Sequence, residues 1–180
     1  MLIHEVCKKG DIDGLSKLLK SNCDLNIQDE SGETGLILTC REGHKEIVSI
    51  LIKAKCDLNI QNEDGNTGLI LACNYGYKEI VSMLIKAKCD LNLQDKFGDT
   101  GLIDACCYGY KDIVVELVRY GCKIDESSRK EYPNEINRGL GLRTQLFDTC
   151  IRHISKNMSK FKNKIHLLPR DIRKHLVSKN

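Results

Sequence analysis

No stretch of this sequence approaches the ~20 consecutive apolar residues that a membrane-spanning helix requires. A secretory leader is missing too, since Met1-Leu2-Ile3 gives way at once to His4 and Glu5. The expectation is an intracellular, cytoplasmic chain, with a nuclear location also compatible. The short motifs of catalysis are absent as well: there is no phosphate-cradling glycine loop, no paired-carboxylate motif and no nucleophile elbow. The five histidines are scattered, with no partner at catalytic or ligand spacing. Cys-x2-Cys does not occur, and Cys106-Cys107 is no substitute for it. No enzyme activity, metal or cofactor is expected.

What is present is the composition of a folded protein, with 41% hydrophobic and 29% charged residues in 180. The net charge of +3 conceals an asymmetry. Residues 143–180 hold ten Lys/Arg against Asp148 and Asp171, a balance of +8, which leaves −5 for residues 1–142. Two regions with different duties are implied.

The first region repeats itself every 33 residues. Gly32-x-Thr34-Gly35-Leu36-Ile37 returns as Gly65-x-Thr67-Gly68-Leu69-Ile70 and as Gly98-x-Thr100-Gly101-Leu102-Ile103. Gly43, Gly76 and Gly109 follow in step, then Ile47-Val48, Ile80-Val81 and Ile113-Val114, then Leu51, Leu84 and Leu117. Cys23-Asp24-Leu25-Asn26 answers Cys56-Asp57-Leu58-Asn59, so residues 1–30 read as a truncated N-terminal capping unit and 31–125 as three full repeats.

Within a unit, Thr34 is placed to cap a short helix running to about Glu42, and Gly43 to end it in a left-handed conformation. A second helix from about Lys45 puts Ile47, Val48, Leu51 and Ile52 on one face. The Asp-Leu-Asn segment and Gly65 then form an extended turn. Two short helices cannot bury both faces alone, so the units must stack into an all-α solenoid.

These elements resemble the ankyrin repeat, whose Gly-x-Thr-Pro-Leu-His and Gly-His-x-x-hydrophobic-Val signatures are matched by Gly32-x-Thr34-Gly35-Leu36-Ile37 and Gly43-His44-Lys45-Glu46-Ile47-Val48. The resemblance covers roughly residues 1–125. Two departures stand out. Glycine and isoleucine replace the family's proline and histidine in every copy, and a glycine in a helix costs up to ~1 kcal/mol. Asn22, Lys55 and Lys88 stand where the family favours a left-handed glycine, which Gly121 retains.

Eight of the ten cysteines form two ladders, Cys7/Cys40/Cys73/Cys106 and Cys23/Cys56/Cys89/Cys122. Rungs of one ladder should lie ~10 Å apart, about a helix diameter and beyond the reach of a disulfide. The resemblance implies small buried residues at both positions, so these thiols read as core fillers.

The resemblance also implies a concave binding surface made of turn tips and the outward side of the first helix, suited to a partner protein. By alignment it comprises Glu30, Ser31, Glu33, Arg41 and Glu42, then Glu63, Asp64, Asn66, Asn74 and Tyr75, then Lys96, Phe97, Asp99, Cys107 and Tyr108. Arg41, Glu42, Asn74, Tyr75, Phe97, Asp99 and Tyr108 are the preferred partner-binding set. The rings of Tyr75, Phe97 and Tyr108 form either a binding stripe or packing laid across neighbouring repeats.

Beyond the repeats, residues 126–142 read as a loop-rich connector and 143–180 as a helical segment. Leu146, Cys150, Ile154 and Met158 recur at helical spacing, and Pro169 can start a last helix carrying Ile172 and Leu176. Leu146-x3-Cys150-x3-Ile154 followed by Leu167-Leu168-Pro169-x-x-Ile172-Arg173-x-x-Leu176 resembles a SOCS box. The second half also resembles the F-box-like tails of viral ankyrin proteins. Either likeness implies recruitment of a cullin ubiquitin ligase, through elongin B/C or through Skp1. Gln145, where a small residue is usual, and the retention of only the second proline of the family's Leu-Pro-x-Pro segment depart from the SOCS pattern. The alternatives are a hairpin that caps the stack, or a basic tail that binds nucleic acid or an acidic membrane. Against nucleic acid, the tail has no aromatics for base stacking beyond Phe147 and Phe161.

Overall fold

The protein is seen in a computed structural model in which residues 3–123 are described. These residues form eight α-helices and, among the described residues, no strand. The helices come in four pairs: α1 (Ile3–Lys9) with α2 (Ile12–Lys20), α3 (Gly35–Glu42) with α4 (Lys45–Lys53), α5 (Gly68–Asn74) with α6 (Lys78–Lys86), and α7 (Gly101–Cys107) with α8 (Lys111–Arg119). The odd-numbered helices pack on one another as an inner row, and the even-numbered ones form an outer row.

Each inner helix starts where the sequence places it. Thr34 Oγ1 accepts from Ile37 N–H at 3.2 Å, Thr67 from Ile70 at 3.2 Å and Thr100 from Ile103 at 3.4 Å, so one orphan amide per helix is satisfied in the same way. Gly43 closes α3 with φ of 80°. The second helix of the unit begins at Lys45 as expected and buries Ile47, Val48 and Leu51. Ile52, assigned to the same face, is only half buried, whereas its counterpart Ile85 is fully enclosed.

The glycines that replace the family's proline do more than weaken their helices. A Cβ on Gly35 would stand 2.8 Å from Cys7 Sγ. On Gly68 it would stand 3.0 Å from Cys40 Sγ, and on Gly101 3.0 Å from Cys73 Sγ. Glycine at the start of one inner helix and cysteine in the preceding one are therefore two halves of a single contact. Part of glycine's entropic cost is offset by the closer approach of neighbouring helices.

At the other end of each pair, an aromatic ring lies on a glycine of the preceding repeat. His44 covers Gly10, Tyr77 covers Gly43 and Tyr110 covers Gly76, with the nearest ring atoms 3.0, 2.8 and 2.6 Å from where a Cβ would be. Those glycines have φ of 69°, 80° and 74°, so both the space and the backbone exclude a larger residue.

The connector 126–142 and the segment 143–180 lie outside the described residues, and with them Leu146, Cys150, Ile154, Leu168, Pro169, Ile172 and Leu176.

Asn22, Lys55 and Lys88 adopt the left-handed conformation, with φ of 55°, 62° and 65°. A β-carbon there costs roughly 1 kcal/mol relative to glycine. Lys55→Gly and Lys88→Gly are each expected to stabilise the stack by about 0.5–1 kcal/mol in urea unfolding. Destabilisation by either would mean that the lysine side chains contribute more than the backbone strain removes.

Candidate interaction surface

The turns between repeats are built by a repeated side-chain device. Asp29 Oδ1 accepts from Ser31 N–H and Glu33 N–H, both at 2.9 Å. Asn62 does the same for Asp64 and Asn66 at 3.0 and 2.8 Å, and Asp95 for Phe97 and Asp99 at 2.8 and 2.9 Å. A short acidic or amide side chain thus wraps each finger around itself. Neighbouring fingers are tied together: Glu63 N–H donates to Ser31 O at 3.0 Å, and Lys96 N–H to Asp64 O at 2.9 Å. The amide of Gln61 adds a bridge, donating to Gly65 O in its own finger at 2.6 Å and to Gln94 O at 2.8 Å. The fingers and the inner helices therefore make one continuous, braced surface.

The expected surface residues fall into different environments on it. Glu33 is not exposed as the alignment implied; it is 6% accessible. Arg41, on the next turn of the same unit, grips it with two hydrogen bonds, Nη1 to Oε2 at 2.6 Å and Nη2 to Oε1. Asn62 of the following finger donates to Glu33 Oε1 at 3.2 Å. Burying this carboxylate is tolerated because its oxygens are met by a bidentate guanidinium and an amide. Arg41 is consequently half buried, and Glu42 beside it is exposed.

Asn74 and Asp99 are half buried. Tyr75 and Tyr108 are 47% and 59% accessible, and Phe97, at the tip of the third finger, is 87% accessible. The two tyrosines occupy matching positions at the ends of α5 and α7, whereas Phe97 lies at the opposite, finger end of α7. The rings that lie on the preceding repeat's glycines are Tyr77 and Tyr110, on which Tyr75 and Tyr108 stack with centroids 6.0 and 6.1 Å apart and planes 22° and 27° from parallel. The exposed rings and the rings laid on the preceding repeat's glycines are thus adjacent residues, two apart in each repeat.

One surface residue was not anticipated. Position 38 in the first full repeat is a buried leucine, and so is position 71 in the second, but the third has Asp104. Burial lifts the Asp104 carboxyl to about 6, Asp99 and Asp95 push in the same direction, and a hydrogen bond from Asn74 pulls against them. The signal is present in the sequence as the replacement of an apolar rung by a carboxylate, but position 104 is not among the surface positions that the alignment supplies.

Seven of the eight ladder cysteines are buried as small apolar residues, and Cys23, in the N-terminal unit, is half buried. Burial raises the thiols of Cys7, Cys56 and Cys122 to about 11 and that of Cys89 to about 12, so all stay protonated at neutral pH. Cys107, in the position of Arg41 and Asn74, is exposed. Among the described residues no group of His, Cys, Asp or Glu is arranged to hold a metal ion, and no helix is long and apolar enough to cross a membrane.

A family model for ankyrin repeats matches residues 3–95 and 54–128, with three copies. The chain belongs to the ankyrin-repeat family. No curated protein matches it. Ankyrin repeats are protein-interaction modules, and membership of the family implies a protein partner for this stack.

Asp104 gives that surface a pH signature. A carboxyl whose folded-state pKa is about 6, against 3.8 as the ordinary value, keeps its proton better in the folded protein than in the unfolded chain. Its contribution to stability therefore falls as pH rises from about 4 to about 6 and stays lost above that. Asp104→Asn is expected to be more stable than wild type at pH 7.5 by about 1 kcal/mol, the full shift being discounted for the residue's partial exposure. The advantage should vanish near pH 4. Urea titrations across this range check it, and an advantage independent of pH would contradict it.

Proposed function

We propose that this ankyrin stack holds a partner protein on its concave face, with Tyr75, Tyr108 and Phe97 as anchors and Arg41, Glu42, Asn74 and Asp99 around them. The observation that carries the reading is the pair of half-exposed tyrosines at matching positions, each backed by a ring that is itself locked against a glycine of the preceding repeat. Rings held from behind lose little freedom on binding, which favours them as points of contact. Tyr108→Ala is expected to abolish or strongly weaken capture of partners by the full chain while shifting its thermal unfolding by little. Affinity purification with mass spectrometry, read beside a melting curve, makes the comparison. Retention of the same partners by the variant would sink the reading, and an equal loss of binding and stability would return Tyr108 to a packing role.

A second reading extends the first. The Leu146-x3-Cys150-x3-Ile154 and Leu168-Pro169-x-x-Ile172-x3-Leu176 patterns support a substrate adaptor, in which the repeats hold the target and the tail engages a cullin ligase through elongin B/C or Skp1. On this reading the full chain co-purifies with one of these complexes, and Leu146→Ala or Ile172→Ala removes it. A folded full-length protein that binds neither leaves the tail as a capping element. The acidity of the repeats opposes nucleic acid on the concave face, because a polyanion meets repulsion there.

A further inference from the structure

We infer that the concave face of the second and third repeats receives a partner segment rich in arginine and lysine, whose cations sit between the Asp104 carboxylate and the ring face of Tyr108. The inference rests on the protein-binding reading above and adds the chemistry of the partner.

Tyr108, which caps the C-terminus of α7, follows Asp104 by four residues, and its N–H donates to Asp104 O at 3.1 Å, so the two side chains stand one turn apart on the same side of the helix. Asn74 of α5, the inner helix packed on α7, is close enough to hydrogen-bond the Asp104 carboxyl from the preceding repeat. A cation there meets a carboxylate and an aromatic face together. Cation–π attraction and charge pairing select the same side chains, and arginine above all.

The charge of the whole surface is separated in the same sense. Over residues 29–42, 62–75 and 95–108, which are the fingers and inner helices of the three full repeats, there are nine acidic residues and two basic ones, Arg41 and Lys96. Arg41 is already held by Glu33. The outer helices α4, α6 and α8 reverse the balance, with six basic residues and four acidic. A basic segment is therefore drawn to the inner face and repelled from the outer one.

The test uses the full chain and two fluorescein-labelled peptides of equal length, one alternating arginine with alanine and the other glutamate with alanine. The arginine peptide is expected to bind at least about tenfold tighter and to weaken as salt is raised. Asp104→Leu, which installs the residue of the other two repeats, should weaken it about five- to tenfold, and Tyr108→Ala comparably. Asp112→Asn on the outer helix should change nothing. Equal binding of both peptides, or no effect of Asp104→Leu, would overturn the inference.

Selection from a random peptide library separates this inference from its parent. Tyr108-dependent binders with no excess of arginine or lysine would leave the protein-binding reading standing and remove this one. An absence of any Tyr108-dependent binder would remove both. An arginine peptide that binds only after the basic residues of 143–180 are neutralised would assign the face to the chain's own tail. A dimer dissociated by Asp104→Leu would assign it to a second copy. Either result overturns an external partner.

Discussion

Each inner helix of the full repeats begins with glycine because the sulfur of the preceding repeat's cysteine occupies the space where a side chain would be. This contact sets how closely successive repeats approach, and the rest of the stack depends on that spacing. A pair of helices seven to nine residues long is below the length at which helices are stable alone, so their order comes from burial against neighbours. The thiol suits the position: it is small, apolar when protonated and polarizable, and burial keeps it protonated. The ring-on-glycine contact of Tyr77 on Gly43 and Tyr110 on Gly76 fixes the opposite end of the same interface. With both ends determined, the fingers fall into register, and the hydrogen bonds from Gln61 and from the finger amides can recur at each step.

The fold was legible because a translational repeat writes each structural requirement several times. Thr34, Thr67 and Thr100 announce three helix starts, and the left-handed conformations of Asn22, Lys55 and Lys88 followed from their place at the end of each second helix. The Gly–Cys contact was less accessible. Both ladders were visible, but a ladder shows that positions are equivalent and not which ladder touches which. That relation needs the distance between adjacent inner helices, which no one-dimensional spacing contains.

The surface was legible in position more than in environment. Tyr75 and Tyr108 could be placed by alignment, yet the division of labour with Tyr77 and Tyr110 depends on which of two nearby rings meets the preceding glycine. Glu33 was misjudged for a related reason. A glutamate at a turn is ordinarily solvated, and only the guanidinium of Arg41, eight residues on, together with the amide of Asn62 in the next repeat makes its burial tolerable. The same alignment position holds Asn66 and Asp99 in the other repeats, and Arg41 is replaced by Asn74 and Cys107, so the first repeat contains an ion pair that the others do not copy.

Asp104 shows how such departures from the repeat are informative. The position is leucine twice over, and leucine there is buried. Replacing it with a carboxylate that burial and two neighbouring aspartates drive toward its neutral form costs the stack stability at neutral pH. The two leucine copies demonstrate that the architecture itself asks for no charge at this rung. On the inference that a partner brings a cation to this rung, the charge has its physical rationale outside the core, and the cation removes the penalty. Stability forgone in the free stack would then return as affinity in the complex, because the carboxylate is already partly desolvated before the partner arrives.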